Sequence, residues 1–252
     1  MGVIRMTHDA TSRSTGKWPK ILPPLTEEQL RISNDWMHHW HLINREKYSG
    51  VVNFGHEYVA KRKKASDDLT LEIGAGLGAQ LTYEVQSQNT KYIAMEYRWN
   101  MVQALRKRFP NITCCLGDCQ GYLPLKAKSM DRVVAIHVLE HLPNLPACIQ
   151  AIQLILKDSG LFFVVIPCEG GMAYEIARYF TSRRMFEKRY RTPYKWFIRS
   201  EHVNTAWEIL EELDKHFSVI ETSYYPFHLP WIHLNAVIGL TLAPRPIRPL
   251  IP

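Results

Sequence analysis

The sequence predicts an α/β protein: a doubly wound, mostly parallel seven-stranded sheet with an antiparallel terminal hairpin, an N-terminal helical lid and an insertion after strand five. Three observations predict it. Apolar runs of strand length alternate with helix-length stretches from Leu69 onward. The fourth and fifth runs are almost continuously apolar, as strands covered on both faces must be. The last two, Phe217–Tyr224 and Leu234–Leu242, have no helix between them, which calls for a hairpin.

The elements follow in order. Thr26 to Gln29 has capping-box spacing, so a helix should run on through Leu30, Ile32, Trp36 and Trp40. Tyr48 to Tyr58 is a second aromatic stretch ahead of the sheet. Strands are expected at Leu69–Ile73, Tyr92–Met95, Ile112–Leu116, Arg132–Ile136 and Leu161–Ile166. Helices should lie near Ala79–Gln86, Asn100–Phe109, Leu145–Leu156 and Glu201–Leu213. Residues 168–200 break the rhythm and form the insertion. The organisation is then a flexible leader over 1–22, an aromatic lid over 23–64 and the α/β domain over 65–252. On that reading, deleting residues 1–58 should leave the sheet folded.

Composition narrows the classes. A chain of 252 residues, 46% hydrophobic and 22% charged, can bury one large core with a cap. No apolar run reaches the roughly 18–20 residues of a membrane-spanning helix. Met1 to Lys20 lacks an apolar signal segment. Five cysteines without paired metal spacing predict reduced thiols in a cytoplasmic protein, and no metal site. The net charge of +7 is concentrated at Lys61–Lys64 and, more densely, between Arg183 and Arg199, where seven bases face one acid, Glu187. Aromatic residues interleave with the second cluster, which suggests an anion site.

The chemistry gathers where strands end. Gly74-Ala75-Gly76-Leu77-Gly78 follows an apolar strand, allowing a tight turn and close backbone approach to a ligand. Glu96 ends the second strand 22 residues after Gly74, placed to accept from ribose hydroxyls. Gly117-Asp118-Cys119 follows the third, where a carboxylate and a backbone N–H suit an adenine edge. His137-Val-Leu-Glu140-His141 closes the fourth.

In this order these segments resemble the class I S-adenosylmethionine-dependent methyltransferases, over about residues 68–167. The resemblance implies S-adenosylmethionine as cofactor and S-adenosylhomocysteine as product. It implies that Glu72 and the backbone of Gly74, Ala75, Gly76 and Gly78 hold the methionine moiety, Glu96 the ribose, Asp118 and Cys119 the adenine, with His137 near the sulfonium. Glu140 and His141 are read mainly as shaping the next helix.

The acceptor side is expected from the insertion and the lid. Glu169, Tyr174 and His202 are the candidate proton acceptors, and Arg183, Arg189, Arg199, Trp36 and Tyr58 the candidate acceptor-binding residues. Arg189 and Arg199 should be partly buried by neighbouring aromatics. A small phosphorylated acceptor fits this set. Pro167-Cys-Glu-Gly-Gly and Arg199-Ser-Glu-His-Val-Asn look similar to a bacterial branch associated with isoprenoid diphosphate C-methylation, which implies a substrate such as isopentenyl diphosphate and a role in isoprenoid biosynthesis. O- or N-methylation of a sugar, a lipid-linked intermediate or another metabolite would use the same pocket. A nicotinamide oxidoreductase shares the loop and Glu96 but leaves Gly117-Asp118 unexplained. An RNA-binding module on the basic face predicts steep salt dependence, and nucleic acid is the less favoured partner. A homodimer is an open expectation.

Overall fold

The computed structural model describes residues 18–47, 49–64, 69–84 and 91–246. Seven strands form its centre: β1 (Leu69–Ile73), β2 (Lys91–Glu96), β3 (Thr113–Leu116), β4 (Met130–Ile136), β5 (Leu156–Pro167), β6 (Phe217–Tyr225) and β7 (Val237–Pro244). Their order across the sheet is β3-β2-β1-β4-β5-β7-β6. The first five are parallel, and β7 runs antiparallel between β5 and β6. The order reverses between β1 and β4, so the loops leaving those two strands diverge and open a crevice at their carboxyl ends.

Both faces of the central strands are covered, which is why they are apolar without alternation. Leu71, Ile73, Val133, Ala135 and Val164 pack on one face with α4 (Leu145–Ile155) and α8 (Ala206–His216). Val134, Phe163 and Val165 face the other way, onto α2 (Ser49–Ala60). α3 (Trp99–Arg108) lies beside β2 and β3. The insertion is helical throughout: α5 (Met172–Arg178), a π turn at Tyr179–Arg183, α6 (Arg184–Tyr190) and α7 (Tyr194–Glu201).

Several expectations need correction. The leader reading falls partly on residues 1–17, outside the described residues, but Trp18 packs on the main core and Lys20 donates to Glu208 at 2.5 Å and to the Val203 carbonyl at 2.7 Å. Positions 18 and 20 are therefore docked chain. The expected lid divides in two. The Thr26–Gln29 box forms and starts α1 (Glu27–Lys47), whose Ile32 and Trp36 pack against Phe186, Tyr194 and Phe197 of the insertion. By contrast α2 is part of the sheet's wall. Tyr58 is buried, its ring sits where a side chain at Gly239 would collide, and its hydroxyl lies 2.9 Å from Thr241 Oγ1. Deleting residues 1–58 would uncover Phe163 and Val165, so the sheet should not survive it.

The helix expected over Ala79–Gln86 is reduced to a single 3-10 turn at Gln80–Thr82, with residues 85–90 outside the described set. Gln80 and Glu84 are recruited instead into a buried polar network. The helix expected from Glu201 begins at Ala206, because Thr205 and Glu208 close a capping box there.

Candidate active site at the carboxyl ends of the strands

The glycine loop leaves β1 with three residues in left-handed conformation, Gly74 (φ 63), Gly76 (φ 55) and Gly78 (φ 77). A Cβ at Gly74 would fall 2.5 Å from Val138, and one at Gly78 2.5 Å from Phe109, so neighbours as well as φ demand glycine there. A Cβ at Gly76 would meet nothing within 4 Å. That position is the open side of the cradle. Its N–H donates to Glu96 Oε2 at 2.9 Å, while Oε1 of the same carboxylate accepts from the Arg98 N–H at 2.9 Å. Each oxygen keeps a lone pair for a further donor. Asp118 is exposed, and its Oδ1 accepts from the Gln120 N–H at 2.9 Å. Exposed Leu77, Tyr97 and Leu116 rim these carboxylates, apolar surface that the sequence reading did not assign. Cradle, two spaced acids and apolar rim fit an adenosine with an amino-acid tail. They fit a dinucleotide less well, since among the described residues only a single 3-10 turn, Gln80–Thr82, follows the loop where a pyrophosphate would need a helix N-terminus.

Two predicted cofactor residues sit deeper than expected. Glu72 lies beneath the loop, nearly closed from solvent, and accepts from the Tyr92 hydroxyl at 2.8 Å. The Cys119 side chain is in the core, so only its backbone can face a ligand. All five cysteines are free thiols.

The β4 and β5 loops carry a denser set. His137 leaves β4 at φ 53, rare for a residue with a side chain; its N–H donates to the Val165 carbonyl at 2.9 Å and its Nδ1 lies 3.4 Å from Glu140 Oε1. Glu140 is buried, its Oε2 has no hydrogen-bond partner, and His141 Nε2 lies 4.0 Å from its Oε1. Burial raises the Glu140 carboxyl, but His137 and the adjacent His141 and His202 outweigh it and hold it below the ordinary value. Asn204 clamps the insertion's exit to this loop, donating to the carbonyls of Leu139 and Leu142 at 2.7 and 2.8 Å. That clamp sets His202 against His141, edge to face, with ring centres 4.9 Å apart.

The three candidate proton acceptors converge, with different capacities. Glu169 Oε2 lies 2.8 Å from His202 Nδ1, and its Oε1 accepts from Arg178 Nη1. Burial raises the Glu169 carboxyl, but His202 and Arg178 prevail and keep it low, hence ionised. An ionised carboxylate only accepts, so Nδ1 of His202 is the donor to Glu169, and in the neutral imidazole Nε2 is the acceptor nitrogen. Tyr174 is corrected: burial first, and Glu169 second, push its phenol well above 10, so it cannot take a proton near neutrality. Arg178, which sequence reasoning missed, could have been found from its helical spacing to Tyr174.

The acceptor-binding expectations fare differently. Trp36 and Tyr58 are core residues, in the α1–insertion cluster and against the sheet. Arg183 is exposed and pairs with Glu187 at 3.0 Å; Arg189 is exposed and pairs with Asp35 at 3.0 Å; Arg199 is exposed. Tyr190 and Tyr179 lie against Arg189 and Arg183 without burying them, while Trp36, Tyr194 and Phe197 pack around Phe186. Among the described residues no group of three or more His, Cys, Asp or Glu side chains is arranged to hold a metal ion.

The methyltransferase domain family matches residues 71–164, the stretch from β1 through most of β5. A Mycobacterium tuberculosis protein named as a probable S-adenosylmethionine-dependent methyltransferase is 32% identical over 112 residues, 44% of this chain and 39% of the relative. The sterol 4-C-methyltransferase strm-1 of Caenorhabditis elegans is 25% identical over 126 residues, 47% of this chain and 37% of the relative. In fold, the chain is similar to a TehB-like S-adenosylmethionine-dependent methyltransferase of Corynebacterium glutamicum, with a TM-score of 0.57 at 11% identity over 86% of this chain and all of that one. Fold and matched segment agree in kind: residues 71–164 match the methyltransferase domain family, and the sheet around them has the fold of solved S-adenosylmethionine-dependent methyltransferases. The chain spans 37–39% of the length of these curated relatives.

Proposed function

We propose that this protein transfers a methyl group from S-adenosylmethionine to a proton-bearing acceptor held between the β4 and β5 loops, with His202 receiving the acceptor's proton. The observation that carries the reading is the Glu169–His202 pair, because it engages Nδ1 and leaves Nε2 as the nitrogen that can accept a proton in the neutral imidazole. When bound, the cofactor supplies an already activated methyl group. The chain's own work is to orient and exclude water. The Gly76 cradle, Glu96 and Asp118 fix the nucleoside, and His137 faces the gap between cofactor and acceptor. Glu169 is a positioning residue that sets the His202 tautomer, and Arg178 keeps Glu169 ionised.

A second reading narrows the acceptor to a prenyl diphosphate such as isopentenyl diphosphate, methylated at carbon. Its support is the likeness of the Pro167–Gly171 and Arg199–Asn204 stretches and the carbon-methylating relative in the nematode. It requires cations at the mouth, and Arg178 is the one inside the cluster. His202 would remove the proton in either case.

Calorimetry and labelled-methyl transfer test the proposal. Glu96→Ala should weaken S-adenosylmethionine binding by about 1.5–3 kcal/mol, the worth of hydrogen bonds to a charged group. Unchanged affinity in that variant contradicts the cofactor site. A panel of hydroxylated, lipid-linked and prenyl diphosphate acceptors then separates the two readings.

A further inference from the structure

We propose that the insertion docks this protein on an anionic lipid bilayer, with the mouth of the site at the membrane surface. The helical run from Met172 carries Met172, Ile176, Tyr179 and Phe180 on one stripe, spaced by four, three and one residues. All four are turned outward, at 54–65% exposure. A stripe with that spacing on a helix normally faces a core. Here it faces away from one.

The apolar surface continues beyond the helix. Gly171 is packed against the Ile232 carbonyl, which brings the loop before β7 alongside α5. That loop presents Phe227, Leu229 and Trp231, all more than half exposed. Trp207 and Trp231 flank His233 with ring centres 5.3 and 6.4 Å from it. So many half-exposed apolar and aromatic residues on neighbouring elements are unusual on a chain surrounded only by water. Tryptophan, tyrosine and phenylalanine beside cations suit the headgroup boundary, where rings bury and charges stay wet.

Charge complementarity selects the occupant. The stripe runs directly into Arg183, Arg184 and Lys188, which with Tyr179, Phe180 and Glu187 line an open groove of about 510 Å³. Arg183 is engaged by Glu187, while Arg184 and Lys188 make no ion pair among the described residues. The surrounding segment, 183–199, holds seven bases and one acid. Anionic headgroups are what such a mixed apolar and basic surface binds. A second copy of this net-positive chain would bring like charge to the same face.

Location ties the surface to the chemistry. α5 starts five residues after the end of β5, on the edge that carries Glu169 and His202. An acceptor with a lipid tail could enter the mouth without leaving the bilayer. This placement rests on the methyltransferase reading, but docking itself does not.

Vesicle pelleting without cofactor or acceptor tests docking alone. Vesicles of equal parts phosphatidylglycerol and phosphatidylcholine should sediment the full chain, those of phosphatidylcholine alone far less, and high salt should release it. Ile176→Glu with Phe180→Glu should lower partitioning at least about tenfold. Arg184→Ala with Lys188→Ala should lower it roughly twentyfold. All four positions are exposed, so circular dichroism and Tm should match the parent. The proposal fails if the parent ignores anionic vesicles, or if neither double variant alters binding. It also fails if sedimentation shows a dimer that Ile176→Glu/Phe180→Glu splits while vesicles bind neither form; the stripe is then a contact between copies. Any of these failures leaves S-adenosylmethionine binding, read by calorimetry, untouched.

Discussion

Two clusters in this molecule have nearly the same ingredients and opposite roles. Beneath the sheet, Arg132 grips both oxygens of Glu84 at 2.9 and 3.0 Å, with Glu72, Tyr92, Gln80 and His56 around them. At the mouth, Arg178 bridges Glu169 and Glu175, with Tyr174, His202, His141 and Glu140 around them. Each is an arginine, at least two glutamates, a tyrosine and at least one histidine. The first is sealed: Arg132 is fully buried, and α2 closes over it. His56 there has its Nδ1 committed to Gln80 at 2.9 Å, and burial lowers its pKa. The second keeps His202 in partial contact with solvent and one of its nitrogens uncommitted. A perturbed, buried charge cluster therefore does not identify an active site. An unpaired lone pair at an open edge comes much closer.

The widest separation of the clusters should come from His202→Ala. Loss of a general base lowers turnover by about 10²–10⁴-fold, and cofactor affinity by calorimetry should not change. Glu169→Gln should lower turnover less and move the pH profile, because a neutral amide no longer fixes the tautomer. If His202→Ala turns over normally, the mouth cluster is as structural as its buried counterpart.

Arg132→Leu should act in the opposite sense. It strips the buried Glu84 carboxylate of its arginine, leaving only Gln80 and, at 3.6 Å, Lys63 beside it among the described residues, and breaking such a pair costs up to about 3–5 kcal/mol in urea unfolding. Adding Glu84→Leu should recover much of that loss. An unstable Arg132→Leu that still binds cofactor when folded would mark the buried network as purely architectural.

A third effect, small over any one pH unit, is a pH dependence. Burial, reinforced by the nearby Glu84 carboxylate and opposed by the Tyr92 hydroxyl, pushes Glu72 up to about 8 from an ordinary 4.5. Between those values the folded chain keeps a proton that the unfolded chain has released. Stability should therefore fall as pH rises through that window, by at most about 1.4 kcal/mol per pH unit, and level off above it. Glu72→Gln should flatten the slope. Equal slopes for parent and variant, in unfolding curves at several pH values, would show that Glu72 is ionised in the folded chain.

Much of the sheet was legible because its information is local. Strand β1 has the expected bounds, Leu69–Ile73, and β2 to β4 differ by two residues or fewer at each end. Apolar runs, loop glycines and the acids at strand ends are set by backbone geometry and burial, and these leave marks within a few residues. The terminal hairpin was legible for the same reason, through the absent helix between its strands.

The tertiary structure alone decided what long-range packing controls. No spacing rule could say that Tyr58 walls the sheet rather than the mouth, or that Trp36 joins the insertion, since a helix's buried face depends on what it meets. Nor could it choose among Glu169, Tyr174 and His202. The division of labour proposed for them rests on Arg178 and Asn204, whose contacts to Glu169 and to the β4 loop lie nine and more than sixty residues apart in sequence. The basic segment shows the limit most clearly: sequence counted its arginines, but only the fold revealed that Arg183 and Arg189 answer Glu187 and Asp35. Charge composition is additive along a chain, whereas a binding site depends on which charges remain unpaired in space.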